Sequence, residues 1–388
     1  MNKSRRYFYM TLFVFMGILT CLCIMTMPAE AQKDASSEAN LKTCKIGAVL
    51  PLAPTSPMPF TGEGVLRGLT IASMQAPEDF SVDLQLIVED DRGEGKTTRT
   101  KAEKFFSMND VPVVVTTFSH LSMPILPLAE KKKKVHFFTI CGTPLSKGMG
   151  DWSFIHFINS VRSSEETARF ARENLNAKTA ACIALNVPTG HISNDAFKKK
   201  FTQMGGKVVD SKIVEMSQKD FRSMLLAIKK KNPDVIYLWA HGSAFSLLLK
   251  QIKETGIKSD IITMEAMNVP IFRKNAGSEG IEGVYFCMPS FDPDSKDPVV
   301  VRFVEDFKEK YDNKAPDYFS AFAYDIGRLL AYATSKGDGS PESIREELLK
   351  VKDFPGTLGP LTIDPYGNVL SGFTIMMIKD GKVAPSDK

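Results

Sequence analysis

Residues 111–144 read VPVVVTTFSHLSMPILPLAEKKKKVHFFTICGTP, and this stretch decides how the rest of the chain is interpreted. It contains two uninterrupted runs of β-branched and aromatic residues, at 113–117 and 135–140. Such runs are typical of strands that are buried on both faces of a parallel sheet. Residues 123–134 between them have the length of a helix, so the whole stretch predicts a strand–helix–strand unit.

A loop of small polar residues follows each predicted strand, at 119–122 and at 141–144. Both loops leave the carboxyl ends of parallel strands, where open α/β sheets bind their ligands. Hydroxyls and free backbone amides in such loops favour a small anion, for example a carboxylate. The alternative is two ordinary connecting loops, in which Ser119 and Ser122 only cap the helix that begins near Met123.

The first 31 residues have the pattern of an export signal. Three basic residues precede an apolar run at 7–27, and Ala-x-Ala at 29–31 stands directly before Gln32. We therefore expect cleavage after residue 31 and a protein located in the periplasm. An uncleaved membrane anchor and a lipid attached to Cys21 are the alternatives.

The remaining chain is close to electrical neutrality. Loss of the signal removes three basic residues and one acidic residue, which lowers the formal net charge from +4 by two. This balance argues against nucleic acid as a partner. The remaining length exceeds what one hydrophobic core serves, so two lobes are expected. The spacing of the remaining cysteines specifies neither a disulfide nor a metal site, and we expect buried free thiols at Cys44, Cys141, Cys182 and Cys287.

Strand and helix patterns alternate regularly after the opening unit, which predicts an α/β fold with parallel sheets. Ser163 and Glu166 have the spacing of a capping box and predict that a helix begins there. The sequence GEGKT at 93–97 looks like the end of a phosphate-binding loop. The full pattern needs a glycine at position 90, which holds Asp90, so nucleotide binding is not expected.

A series of short segments carries a family resemblance through its order and spacing. The segments are 45–47 with 50–51, 62–63 with 66–68, 89–91 followed by a helix, 184–190, 220–221, and 359–361 with Asp364 and 367–368. Together they resemble the leucine/isoleucine/valine-binding family of extracytoplasmic solute-binding proteins, which has the type I periplasmic-binding fold. The resemblance extends from about Cys44 to Lys382.

The resemblance implies two lobes, each a mostly parallel sheet flanked by helices, which three strand crossovers join. It places lobe 1 at 43–160 plus 290–369 and lobe 2 at 161–289 plus 370–388. We expect the two lobes to enclose a small carboxylate ligand, and an amino acid is the main candidate. The protein is then expected to act as a monomer that delivers this ligand to the membrane permease of an ABC transporter.

The resemblance also implies roles for individual residues. In the amino-acid binders of this family, hydroxyls and amides of lobe 1 hold the ligand carboxylate, and these positions correspond to Ser119, His120, Cys141 and Thr143. The ligand ammonium is held by an acidic residue that follows a strand of lobe 2. Glu265 occupies that position here.

The aromatic positions of the family are where this chain differs. Thr61 and Thr189 stand where tyrosines are common, and His241 stands at a third such position. Phe319 or Tyr318 keeps a fourth. Smaller and more polar walls leave room for a bulkier or hydrogen-bonding side chain. An aromatic or other non-amino carboxylate is therefore the alternative ligand.

The sequence does not favour an enzyme. It contains no Gly-x-Ser-x-Gly motif and no two histidines at ligand spacing on a helix, so we expect neither catalysis nor a bound metal or cofactor. A hydrolase or zinc site made by His120, His191 and His241 with Glu265 is the alternative class. A ligand-sensing domain of a receptor shares the fold but would normally continue into a membrane-spanning segment.

Overall fold

The computed structural model describes residues 41–56 and 58–388. The predicted export signal at 1–31 lies outside the described residues. None of the helices within them is both long enough and apolar enough to span a bilayer.

A five-stranded sheet forms the core of the first part of the chain. Its strands are β1 (Lys42–Leu50), β2 (Val82–Asp90), β3 (Val113–Thr117), β4 (Val135–Thr139) and β5 (Ser153–Ile155). They are all parallel, in the order β2-β1-β3-β4-β5. The strand–helix–strand prediction is confirmed, and β3 and β4 are buried at every position.

Helices cover both faces of this sheet, which explains the unbroken apolar runs. The helices that follow its strands are α1 (Pro59–Phe80), α2 (Gly95–Ser107), α3 (Ser119–Ser122) and α4 (Leu126–Lys132). On β3, Val114 joins a cluster with Phe105 of α2, whereas its neighbour Val115 joins a different cluster with Leu329. Successive side chains therefore point into two separate apolar layers.

The chain then builds a second sheet. Its first strands are β6 (Thr179–Leu185), β7 (Lys207–Val214), β8 (Val235–Trp239), β9 (Asp260–Thr263) and β10 (Tyr285–Pro289). The helices of this part are α5 (Ser160–Glu173), α6 (Pro188–Gln203), α7 (Arg222–Lys231), α8 (Gly242–Glu254), α9 (Pro270–Ala276) and α10 (Ser278–Ile281). A 3-10 turn at Glu265–Asn268 follows β9.

The last part of the chain completes both units. The helices α11 (Pro298–Lys310), α12 (Tyr318–Lys336) and α13 (Pro341–Leu349) come first, followed by a small antiparallel sheet of β11 (Phe354–Gly356), β12 (Gly359–Ile363) and β13 (Val369–Leu370). The strands β14 (Phe373–Lys379) and β15 (Lys382–Pro385) then extend the second sheet to the order β15-β14-β10-β9-β8-β6-β7. The tail of the chain is antiparallel, since β14 is antiparallel to β10 and to β15.

Helix α12 returns to the first unit and packs along α1. A Cβ atom at Gly68 of α1 would overlap the carbonyl oxygen of Ser320, so a larger residue would force the two helices apart. This close contact fixes the start of α12, which carries Tyr318 and Phe319.

The chain passes between the two sheets three times, after Ile155, after Pro289 and after Leu370. The predicted α/β fold of two mostly parallel sheets flanked by helices is thus confirmed. We propose that residues 43–160 plus 290–369 form lobe 1 and that residues 161–289 plus 370–388 form lobe 2. These two names are used below.

The predicted start of helix α5 at Ser163 is wrong. The helix begins at Ser160, because the side chain of Asn159 accepts hydrogen bonds of 3.1 Å from the backbone N–H groups of Val161 and Arg162. The hydroxyl of Ser163 donates instead to the carbonyl oxygen of Ser160. Asn159, four residues upstream of Ser163, thus takes the capping role that the Ser–Glu pattern suggested.

Candidate ligand-binding cleft

The loop after β3 reverses at Phe118, whose φ of 60° lies where side-chain-bearing residues are strained. Ser119 follows as the first residue of α3 and is half-buried, within hydrogen-bonding reach of the Cys141 thiol. His120 is exposed, with its ring centroid 5.8 Å from that of Phe118. The loop therefore holds Ser119 in place and leaves His120 free at the surface.

Ser122 belongs to the internal structure of this loop. Its Oγ lies 2.7 Å from the hydroxyl of Thr116 and donates to the carbonyl oxygen of Thr117 at 2.9 Å. No side-chain capping bond starts the helical turn at Met123, and a helix already begins at Ser119. The alternative in which the two serines cap a helix near Met123 is therefore wrong.

The loop after β4 reverses in the same way, at Ile140 with a φ of 57°. Such a conformation costs on the order of 1–3 kcal/mol and persists only where the surroundings hold it. Burial raises the pKa of the Cys141 thiol, which therefore stays protonated, and its Sγ donates to the carbonyl oxygen of Thr143 at 3.6 Å. The hydroxyl oxygen of Thr143 lies 3.1 Å from that of Thr189 on lobe 2, so the lobes meet at this pair.

Two further candidate residues come from the starts of lobe 2 helices. Thr189 lies in the first turn of α6 and His241 directly precedes α8, and both side chains are half-buried. The His241 ring stands nearly perpendicular to Trp239, with 5.7 Å between centroids. Burial lowers the pKa of His241, which favours the neutral imidazole at physiological pH.

Glu265 is the acidic group of the cleft. It lies two residues after the last residue of β9, Thr263, and begins the 3-10 turn. Within residues 41–56 and 58–388, its carboxylate receives a hydrogen bond from its own backbone amide and has no cationic partner. Burial raises its pKa to about 7, although part of the side chain remains accessible. Burial raises the pKa of Tyr318 on lobe 1, and the negative charge of Glu265 contributes to this shift.

Thr61 does not reach the cleft surface. Its side chain is fully buried, and its hydroxyl donates to the carbonyl oxygen of Met58 at 2.7 Å. The neighbouring Phe60 is 47% exposed instead, and its ring packs edge-on against Phe319 with 6.1 Å between centroids. The family resemblance pointed to Thr61 because of its position in the sequence. The aromatic character of Phe60, at the start of helix α1, was the feature that could have identified the residue that faces the cleft.

A cavity of about 600 Å³ lies between the lobes beside these aromatic residues. Phe60, Tyr318 and Phe319 line it from lobe 1, and residues 268–271 line it from lobe 2. Phe319 is thus the predicted site residue that reaches this cavity. The lobe 2 segment was missed, because nothing in its sequence distinguishes it from an ordinary loop.

The histidines of the zinc-site alternative are not gathered into a metal site. Within the described part of the chain, no three His, Cys, Asp or Glu side chains are placed to hold a metal ion. His191 is exposed, and its Nε2 lies 2.8 Å from the side-chain oxygen of Asn186. The arrangement that this alternative needs is therefore absent from these residues.

A family model described as periplasmic binding protein matches residues 43–382. The chain belongs to the periplasmic binding protein family. The resemblance predicted from its sequence is thereby confirmed.

This periplasmic binding protein is similar to several proteins. Leu/Ile/Val-binding protein homolog 1 of Brucella abortus (strain 2308) is 25% identical over 190 residues, which are 48% of this chain and 50% of that protein. The chain therefore aligns with only half the length of that relative. A leucine-binding protein, LivK, from Thermotoga maritima MSB8 superposes with a TM-score of 0.75 and 27% identity, covering 88% of this chain and 97% of the other.

A solute-binding protein of an ABC transporter from Rhodopseudomonas palustris BisB5, in complex with 3,4-dihydroxy benzoic acid, superposes with a TM-score of 0.71. Its identity is 19%, over 88% of this chain and 95% of the other, so this likeness shows the fold alone.

Proposed function

We propose that this chain is the solute-binding component of an ABC importer and that its two lobes close around an α-amino acid. The observation that carries the proposal is Glu265, a carboxylate near the carboxyl end of a lobe 2 strand that has no cationic partner among the described residues. A charge removed from water needs an opposite charge as partner. The ammonium group of an amino acid supplies that charge.

The lobe 1 loops are suited to the ligand carboxylate. Ser119 and Thr143 bring hydroxyls to the ends of two adjacent parallel strands, and backbone amides accompany them. Hydrogen bonds to a charged carboxylate are stronger than those between neutral groups. Cys141 acts in this proposal as a positioning residue, because its protonated thiol links the two loops.

We propose binding without turnover, by a monomer that passes its ligand to a membrane permease. The family match supports this role, and the raised pKa of the Cys141 thiol disfavours a nucleophilic thiolate. The basic and apolar start of the sequence supports export to the periplasm, with a mature chain that begins at Gln32. Mass analysis of native protein tests this point, and retention of Met1 or a diacylglyceryl group on Cys21 would contradict it.

A carboxylate that lacks an amine is the second candidate ligand. With a pKa of about 7, Glu265 is protonated in a substantial fraction of molecules at neutral pH and can then donate a hydrogen bond to a neutral ligand group. The Rhodopseudomonas palustris neighbour, in complex with 3,4-dihydroxy benzoic acid, shares the fold of this chain.

The test compares amino acids with their deaminated analogues by calorimetry, for example leucine with 4-methylpentanoate and phenylalanine with 3-phenylpropanoate. We expect the amino acids to bind at least roughly 30-fold more tightly, since loss of a buried charge partner costs about 2–5 kcal/mol. Tighter binding of the analogues would favour the second candidate. Failure of every amino acid and carboxylate to raise the melting temperature would contradict solute binding, since a hundredfold excess over Kd stabilises by about 2.7 kcal/mol.

A further inference from the structure

The 600 Å³ cavity is large for the side chain of a branched aliphatic amino acid. A cavity of about 150 Å³ lined by apolar side chains already binds benzene. Pockets for drug-sized ligands range from about 300 to 1,000 Å³. The volume therefore suits a ligand whose apolar part is at least one aromatic ring system.

Four aromatic residues line the cavity together with proline and aliphatic residues, and Asn268 and Asp317 are its polar lining residues. Lobe 1 contributes the rings of Phe60, Tyr318 and Phe319, and the crossover after β10 contributes the ring of Phe291. Tyr318 and Phe319 lie 4.2 Å apart between ring centroids. Aromatic rings in such settings prefer edge-to-face or offset contacts with another ring. The wall thus favours a flat aromatic group over a branched aliphatic one.

The mouth of the cavity exposes apolar surface from both lobes. Phe60 of lobe 1 is 47% exposed and Ile271 of lobe 2 is 52% exposed, and both line the cavity. Exposed apolar surface of this kind marks a binding groove when it borders a concave site. A ligand group placed between these two residues removes apolar surface from water on both lobes at once.

The cavity borders the 3-10 turn that begins at Glu265. Tyr318 lines the cavity, and its pKa is raised by burial with a further contribution from the negative charge of Glu265. Asn268, which also lines the cavity, ends the 3-10 turn that Glu265 begins. An amino acid with its ammonium at Glu265 therefore has this cavity as the adjacent space for its side chain.

We propose that this cavity is the side-chain subsite and that the ligand is an α-amino acid with an aromatic side chain as large as indole. The proposal rests on the proposed function, because the amino-acid head group is held as described there. The proposal specifies an aromatic side chain for this subsite. The residues that hold the ammonium and carboxylate groups would serve any amino acid.

The experiment measures Kd by calorimetry for leucine, phenylalanine and tryptophan, with wild-type protein and with Phe60→Ala. We expect affinity to rise in the order leucine, phenylalanine, tryptophan, with at least a tenfold difference between the first and the last. Phe60→Ala should weaken tryptophan binding at least fivefold and weaken leucine binding by a clearly smaller factor. Met74→Ala is the matched control, because Met74 is 52% exposed on the same helix and does not line the cavity.

Equal or tighter binding of leucine would overturn the subsite, and so would equal losses for all three ligands in Phe60→Ala. Glu265→Gln separates this failure from that of the proposed function. If Glu265→Gln weakens all three amino acids while leucine binds best, the subsite is wrong and the proposed function stands. If none of the three binds to wild-type protein, the subsite proposal fails, and the proposed function is then decided by the wider comparison of amino acids and carboxylates given above.

Discussion

The two walls of the cleft differ in how their polar groups are satisfied. On lobe 1, Ser119 lies within hydrogen-bonding reach of the Cys141 thiol, and that thiol donates to the carbonyl oxygen of Thr143. On lobe 2, Glu265 has no cationic partner among the described residues, and its pKa is raised to about 7. Lobe 1 is therefore organised before the ligand arrives, whereas the lobe 2 acid becomes paired only when a cation enters.

This difference assigns separate physical tasks to the two walls. Reversals at Phe118 and Ile140 hold the lobe 1 loops in strained conformations, which lowers the entropy cost of ordering them on binding. The desolvated carboxylate of lobe 2 gains more from an ammonium than an exposed carboxylate would. Lobe 1 thus orients the ligand, and lobe 2 makes closure depend on the charge of the ligand.

The largest effect is expected from Glu265→Gln. The substitution keeps the shape and one acceptor oxygen but removes the charge that we propose to pair with the ligand ammonium. Affinity for an amino acid should fall by about 2–5 kcal/mol, which is roughly 30-fold to a few thousand-fold in Kd. Calorimetry with the amino acid that copurifies with the protein measures this loss.

The same variant distinguishes the two ligand classes. A carboxylate that lacks an amine should bind equally well or more tightly to Glu265→Gln, since the substitution removes a repulsion. Unchanged affinity for an amino acid would contradict the amino-acid proposal and leave solute binding intact.

Affinity should also depend on pH through Glu265. Its pKa of about 7 means that the carboxyl is protonated at lower pH and cannot pair with an ammonium. Binding should therefore weaken by about tenfold for each pH unit below 6 and reach a plateau above pH 8. In Glu265→Gln the profile should be flat over this range, and a slope as steep as that of the wild type would assign the titration to another group.

Thr143→Val tests the lobe 1 wall and should have a smaller effect. The variant loses a hydroxyl that we propose to donate to the ligand carboxylate, at a cost of about 1–3 kcal/mol, or roughly 5- to 150-fold in Kd. Thr143→Ser keeps the hydroxyl and is the matched control, so its affinity should stay close to that of the wild type. A loss in Thr143→Val that exceeds the loss in Glu265→Gln would reverse the comparison between the two walls.

The smallest effect concerns the stability of the ligand-free protein. The folded pKa of Glu265 lies above the ordinary value of 4.5, so between these two values the folded state binds more protons than the unfolded state. Protonated Glu265 therefore favours the folded state relative to the ionised form. This contribution to the free energy of unfolding is fully present below pH 4.5 and is lost as pH rises through about 7. Glu265→Gln should therefore melt a few degrees above the wild type at pH 8 and at nearly the same temperature at pH 4, in calorimetric scans without ligand. A lower melting temperature for the variant at pH 8 would show that the carboxylate is not strained by burial.

Much of the fold follows from local patterns. Strand β3 has the bounds that its apolar run predicts, because burial on both faces demands such residues at every position. The start of α5 was missed because a capping pattern does not reveal which competing side chain reaches the free amides. Asn159 takes that role at the end of a crossover between the sheets.

The sequence by itself determined the alternation of strands and helices, the family, and the position of an acid after a lobe 2 strand. These features depend on periodicity and order along the chain, which are local properties. The tertiary structure alone decided that Thr61 is buried while Phe60 faces the cavity, since this depends on how helix α1 packs against α12. It also decided that Glu265 lacks a cationic partner within the described residues, because the environment of a charge is set by residues from distant segments that only folding brings together.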